Sequence, residues 1–332
     1  MSYDLLSLGS AVVDKILCVD ESFLEKMHFN KGGTRVHLNV DHSLILDQCP
    51  SKNMLSIPGG SAANTTKVVA GLGLKCAYIA KVGKDKWGEF YRSSFIERGI
   101  TPFFSECEKL PTGSLLCMIT PDGERTMCPD LRACQSITGL DIKESYFENV
   151  RLFHMDGYNF YYPDALEESI RLAAKMKCSI SIDMSSFELM KSHAPRIQEL
   201  LDKRTFDLIF ANEREAFELT GATDPVRACE KLSIYCPLVT VMMGERGSAT
   251  IHNGQLYLKP TKAIKPLDTT GAGDMYIGGF LFGYLSGYSI DKCMSLGTTT
   301  AVKGIQVFGG ELPMKYLLQL KESLKTPELV NV

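Results

Sequence analysis

Short apolar runs alternate along the chain with stretches in which apolar positions recur every third or fourth residue. Residues 3–9, Tyr-Asp-Leu-Leu-Ser-Leu-Gly, predict a buried first strand; residues 61–74 predict a helix and 76–82 the next strand. Asp85 stands in an N-cap position ahead of a helix running to Arg98, with Gly99 placed to close it in the left-handed conformation. Further strands are predicted at 152–155, 179–183, 208–211 and 238–242, with helices at 164–176, 195–201, 214–220 and 226–235 between them. Strands separated by helices call for a mainly parallel sheet covered on both faces. Two regions break the rhythm. Residues 11–57 lack a long helical period and carry strand-like pieces at 36–39 and 43–46, while 112–128 read as a hairpin around Pro121-Asp122-Gly123-Glu124. Together they predict a small β-sheet lid, about 11–57 and 112–128, on a single α/β domain spanning 1–332. A second hairpin is expected at 248–258 around Asn253-Gly254. There is no internal repeat and no low-complexity tract.

Composition narrows the classes. With 332 residues, 45% hydrophobic and 23% charged, the chain has ample apolar material for a core. A net charge of -3 argues against a nucleic-acid partner, which calls for an excess of Lys and Arg. No apolar stretch reaches the ~18 residues of a membrane span, and Met1-Ser2-Tyr3-Asp4 puts a carboxylate where a secretory leader carries positive charge. A cytoplasmic protein is expected. The 11 cysteines are scattered with no Cys-x-x-Cys pair, so reduced structural thiols are expected rather than disulfides or a zinc site.

Three segments carry candidate chemistry. In Asp268-Thr269-Thr270-Gly271-Ala272-Gly273-Asp274 small residues expose consecutive N–H groups before an apolar helix, which makes an anion site. A carboxylate there would repel a bound phosphate unless it served as a base beside it; its alternative role is as a first-turn helix cap. In Pro58-Gly59-Gly60-Ser61-Ala62-Ala63-Asn64, paired glycines would let a helix start press on a small polar ligand, or simply on a sheet. Asn212-Glu213-Arg214-Glu215 follows a strand and could hold Mg²⁺ through water, or be an ordinary polar helix start. No P-loop is present, and Tyr276 stands where a dinucleotide fingerprint needs its third glycine.

The first two segments, in this order and about 200 residues apart, resemble the two signatures of the ribokinase (PfkB) family of carbohydrate kinases, and the resemblance covers nearly the whole chain. It implies a Rossmann-like three-layer α/β fold with a small β lid, and γ-phosphate transfer from ATP to a sugar or nucleoside hydroxyl. By that resemblance Asp274 is the base, and Gly271, Ala272 and Gly273 form the anion hole. Asp14, Gly59, Gly60 and Asn64 bind the acceptor, and Glu215 holds Mg²⁺ through water. Asn212, Gly244, Gly247 and Thr269 lie by the nucleotide. The family also allows a monovalent cation, and a monomer or homodimer.

The stretch Thr120-Pro121-Asp122-Gly123-Glu124-Arg125 resembles the lid of adenosine-kinase-like members, with Arg125 on the acceptor side. Adenosine is therefore the first-choice acceptor, with ribose, fructose or 2-keto-3-deoxygluconate as alternatives. One departure is Ser10, where some adenosine kinases carry Asn. Phe103, Phe104, Tyr158, Phe160 and Tyr161 are aromatic candidates to stack on a base, though core packing accounts for most aromatics. A non-catalytic binding module would be expected to show damage at the base or anion hole, and both are intact.

Overall fold

A computed structural model describes residues 2–31, 42–49, 54–122, 124–307 and 309–325. Thirteen strands run in chain order among them. They are β1 (Tyr3–Leu8), β2 (Val12–Cys18), β3 (Leu55–Pro58), β4 (Cys76–Gly83), β5 (Thr101–Cys107), β6 (Gly113–Ile119) and β7 (Arg125–Asp130). These are followed by β8 (Val150–Asp156), β9 (Ser179–Asp183), β10 (Leu208–Asn212), β11 (Leu238–Met242), β12 (Ser248–His252) and β13 (Gln255–Lys259). Nine form one sheet in the order β13-β12-β11-β10-β9-β8-β1-β4-β5, and four form a second, β3-β2-β6-β7. The large sheet is parallel except where β12 and β13 fold back.

Its central strands are nearly all apolar, as burial on both faces demands. Leu5, Leu6 and Leu8 of β1, flanked by β4 and β8, have no exposed surface. The covering helices bury one stripe each. Pro163–Lys175 turns Ala165, Leu166, Ser169, Leu172 and Ala173 inward, and starts on a proline whose missing N–H costs nothing there. β5 has no strong alternation and carries Pro102, which explains why it was not predicted; it lies at a sheet edge, where proline is tolerated.

The second sheet has an outer and an inner face. Leu17, Leu116, Met118 and Cys128 pack outward beneath Phe23, Leu24 and Ile45. Ile45 belongs to a helix, His42–Gln48, where a strand was expected at 43–46. The burial period decides it: His42, Ile45, Leu46 and Cys49 pack inward while Leu44 is exposed, which is helical spacing rather than alternation. The strand-like piece at 36–39 and Gly123 of the hairpin tip lie outside the described residues. The hairpin itself pairs Ile119 with Arg125. Residues opposite one another in a sheet share a face, so Asp14, Leu115, Cys117, Ile119 and Arg125 all belong to the inner face.

The chain crosses between the sheets at Gly9-Ser10-Ala11, at Gly59-Gly60 and on entering β6. Asp85 holds this last junction. One carboxylate oxygen caps the helix Lys86–Glu97 by accepting from Trp87 N (3.0 Å) and Gly88 N (2.8 Å), and the other accepts from Thr112 N (2.8 Å). Asp85→Ala should therefore lower the unfolding free energy by about 1–2 kcal/mol, read as a lower urea midpoint through the fluorescence of Trp87, the single tryptophan. An unchanged midpoint would contradict the role given to this cap.

Candidate active site at the junction of the two sheets

The helix Ala272–Leu285 starts after Gly271, whose φ of 70° suits glycine, and a side chain there would crowd the Gly310 carbonyl at 3.0 Å. The first N–H groups of this helix have no partner within it. Asp274 does not cap them. Its carboxylate turns across to the helix Ser61–Gly71, accepting from Ser61 Oγ (2.7 Å) and Asn64 Nδ2 (3.0 Å), while Thr65 Oγ1 donates to its backbone carbonyl (3.0 Å). The two sequence signatures thus meet through Asp274, and the capping alternative is excluded.

Carboxylates crowd this place. Asp156 ends β8 and accepts from Ala62 N (3.0 Å) and Asn159 Nδ2 (2.9 Å). Asp183 ends β9 and accepts from Ser185 Oγ (3.0 Å) and Ser61 Oγ (3.3 Å). Asp14 comes from the second sheet, packed so tightly against Gly59 that any side chain there would run into its carboxylate. Its Oδ1 is buried with no hydrogen-bond partner. Burial pushes the carboxyls of Asp14 and Asp156 up to about 7, with the charge of Asp274 adding to each. Asp274 keeps some surface, yet desolvation of its carboxyl group and the charge of Asp183 push it up to about 7, against the pull of Asn64, Ser61 and Lys67.

Lys67, 2% exposed, answers part of this charge. It donates to the Pro58 carbonyl and pairs with Glu311 (2.8 Å), which also binds Arg98.

Asn212 and Glu215 form a closed capping box. Asn212 N and Nδ2 donate to the two carboxylate oxygens of Glu215 (2.8 and 2.7 Å), and Asn212 Oδ1 accepts from Arg214 N and Glu215 N. Burial and the charges of Asp183 and Asp274 raise the Glu215 carboxyl. Among the described residues no cluster of His, Cys, Asp or Glu is arranged to grip a metal directly. The donor set fits a hydrated divalent cation instead: partly neutralised carboxylates near one another, whose own hydrogen bonds leave room only for outer contacts.

Gly244 and Gly247 shape the turn after β11, where Met243 N reaches the Gly247 carbonyl (2.8 Å). The end of β11 faces the Gly271–Gly273 turn, with Met242 3.6 Å from where a Gly273 side chain would start. Thr269 is exposed beside that turn. Arg125 does not stand free. Its guanidinium donates to Thr270 Oγ1 (2.6 Å) and pairs with Asp268 (2.5 Å). Of the aromatic candidates, Phe160 is core and Phe103 and Phe104 pack against the core, Tyr161 packs on His193, and Tyr158 lies within reach of the charges of Asp156 and Asp274.

Sequence reasoning missed Ser61, Asp156, Asp183 and the Lys67–Glu311 pair as site residues. A signal for two of them exists: Leu-Phe-His-Met-Asp156 and Ser-Ile-Ser-Ile-Asp183 each end an apolar strand with a carboxylate, at the strand end where parallel sheets bind ligands.

Comparisons with known proteins agree with this geometry. Residues 47–315 match the pfkB family of carbohydrate kinases. The cytidine kinase of Thermococcus kodakarensis is 27% identical over 284 residues, covering 82% of this chain and 95% of that one. Adenosine kinase 2 of Arabidopsis thaliana is 26% identical over 346 residues, covering 95% and 97%. The crystal structure of adenosine kinase from Sinorhizobium meliloti superposes with a TM-score of 0.88 at 30% identity, covering 97% of this chain and all of that one. With both signatures converging on one buried carboxylate, the chain belongs to the pfkB family of carbohydrate kinases, phosphotransferases that act on a sugar or nucleoside hydroxyl.

Proposed function

We propose that this enzyme transfers the γ-phosphate of ATP to a hydroxyl of a nucleoside, with adenosine as the first acceptor. The observation that carries the reading is the aim of Asp274: it sits in the first turn of a helix whose positive N-terminal end attracts an anion, yet it is held by the opposite helix. Nucleoside kinases among the relatives, from cytidine to adenosine, favour a nucleoside over a free sugar.

Each residue then has a task. Asp14, with its unpartnered Oδ1, Asn64 and the Gly59-Gly60 backbone take the hydroxyls of the acceptor. Asp274 accepts the proton of the attacking hydroxyl; that oxygen bonds the γ-phosphorus as the bond to the bridging oxygen breaks, and ADP leaves with the electron pair. The N–H groups of Gly271, Ala272 and Gly273 stabilise charge on the phosphoryl oxygens. Asn212, Thr269, Gly244 and Gly247 lie on the nucleotide side. Mg²⁺, held through water by Glu215, would supply neutralisation of phosphate charge. The second sheet, carried by residues within 11–57 and 112–128, acts as a lid that keeps water out.

A carboxyl near 7 is well matched to a general base at neutral pH. Turnover should rise about tenfold per pH unit in acid and level off above about 7. Asp274→Asn should remove that limb and lower kcat by roughly 10²–10⁴ while ATP still binds. A variant that keeps its turnover and its acid limb would contradict the assignment of the base.

Asn64 donates to the ionised form of Asp274 and so lowers its pKa. Asn64→Ala should weaken acceptor binding and also move the acid limb to higher pH. A loss confined to ATP affinity, with the limb unmoved, would place Asn64 elsewhere.

Stability should run the other way. A carboxyl raised above its unfolded value is still protonated in the fold at pH where the unfolded chain has already lost the proton, so each one erodes stability as pH climbs from about 4 toward 7. Asp274→Asn is expected to melt higher than the parent at pH 8 despite its lost turnover. A lower melting point at pH 8 would show that the ionised carboxylate is not a burden on the fold. Chelation by EDTA should abolish transfer, and turnover surviving it would remove the role given to Glu215.

A further inference from the structure

Asp268 has no exposed side-chain surface and lies where three parts of the chain meet. Its Oδ1 accepts from Thr270 N (2.8 Å), which folds the turn into the anion hole. Its Oδ2 accepts from Gly309 N (2.8 Å) and pairs with Arg125 (2.5 Å) from the far end of β7. The same guanidinium donates to Thr270 Oγ1. Arg125 is thus bonded at two points to the turn preceding Gly271, and it comes from the face of the small sheet that also carries Asp14.

The 309–311 loop braces the turn from the other side. The Gly310 carbonyl lies against Gly271, and Glu311 is anchored by Lys67 and Arg98.

We propose that Arg125 is a positioning residue: acting through Asp268, it sets the shape of the 268–271 turn and so couples the anion hole to the docking of the small sheet. The proposal rests on the reading of 271–274 as the phosphoryl site. Its physical basis is charge. A fully buried carboxylate needs a counter-charge, and Arg125 is the cation the structure puts on Asp268. Without it, Asp268 would add one more uncompensated negative charge beside Asp14 and Asp274, at the place a phosphoryl group must enter. The turn would then relax toward solvent.

The test is a double-mutant cycle in the full chain with Arg125→Gln, Asp268→Asn and the pair combined, beside Arg125→Lys. Two readouts are taken. Amide hydrogen exchange over 268–275 needs no substrate, and kcat and KM are measured with the best acceptor. Trp87 reports the seating of the small sheet, because Lys15 of β2 lies over its ring at 5.2 Å.

Arg125→Gln should speed exchange of the turn and lower kcat, each by roughly tenfold or more, while acceptor KM moves by less than about threefold. The combined variant should be no worse than Arg125→Gln alone, since a neutral Asn needs no counter-charge, and Arg125→Lys should recover most of both losses. Unchanged exchange over 268–275 with only a raised acceptor KM would make Arg125 a plain substrate contact and overturn the proposal. So would effects of the two single variants that simply multiply. If Arg125→Gln does not fold, Asp268→Asn and Arg125→Lys still read the pair, and normal exchange and kcat in Asp268→Asn would equally overturn it. Failure of the kinase reading looks different: the parent would transfer no phosphate while the exchange coupling persisted.

Discussion

The cost of taking several carboxylates out of water at one place is the constraint around which this fold is arranged. Asp156 and Asp183 end neighbouring strands, Asp14 arrives from the second sheet, and Asp274 and Glu215 stand in the first turns of two helices. Burial raises every one of them, and neighbouring negative charge adds to it at Asp14, Asp156, Glu215 and Asp274. Such a cluster opposes folding at neutral pH, and the rest of the molecule compensates. The apolar strands of the large sheet provide the bulk of the burial, the Ala62 N–H at the start of the helix Ser61–Gly71 donates to Asp156, the side chains of Ser61 and Asn64 donate to Asp274, and Lys67 and Arg125 supply positive charge from within the protein. The same cluster brings the carboxyls of Asp14, Asp156 and Asp274 up to about 7, and of these Asp274 is the one in the first turn of the helix Ala272–Leu285.

The two sheets divide the labour. Strand ends of the large sheet and the helix Ala272–Leu285 form a rigid floor, while the small sheet brings Asp14 and Arg125 in on one face. Its opposite face is sealed by the Phe23, Leu24 and Ile45 cluster, so the small sheet has an apolar core of its own. Asp268 joins the floor to this piece, bonded to the turn, to the 309–311 loop and to Arg125. This one pair therefore touches the small sheet, the 268–271 turn and the 309–311 loop at once.

Much of this was legible in the sequence. Buried parallel strands announce themselves as short apolar runs, so residues 179–183 and 238–242 were placed to the residue, and the Asp85 cap fixed the start of its helix. What failed was short and context-dependent. Residues 43–46 carry too few positions to separate alternation from helical spacing, and only packing beneath the small sheet makes them helical. β5 owes its strand conformation to pairing with β4 rather than to its own pattern. The signature motifs named Asp274 and Asn64, and the lid-like stretch 120–125 named Arg125, but no spacing rule connects Asn64 to Asp274 or Arg125 to Asp268, separated by 210 residues in the first case. Those contacts belong to the tertiary fold. Asn212 and Glu215 could be read either as a helix start or as metal-facing groups, and the structure shows them built as a capping box.

Phosphoryl transfer to a nucleoside is the task proposed for the carboxylate cluster. It is met most directly by measuring, in one reaction with Mg·ATP, ADP released and phosphorylated acceptor formed for adenosine, cytidine, inosine, ribose and fructose. One ADP per phosphorylated nucleoside is expected, adenosine foremost, with almost no ADP when the acceptor is left out. ADP release that is indifferent to the acceptor, or phosphorylation of free sugars alone, would contradict it.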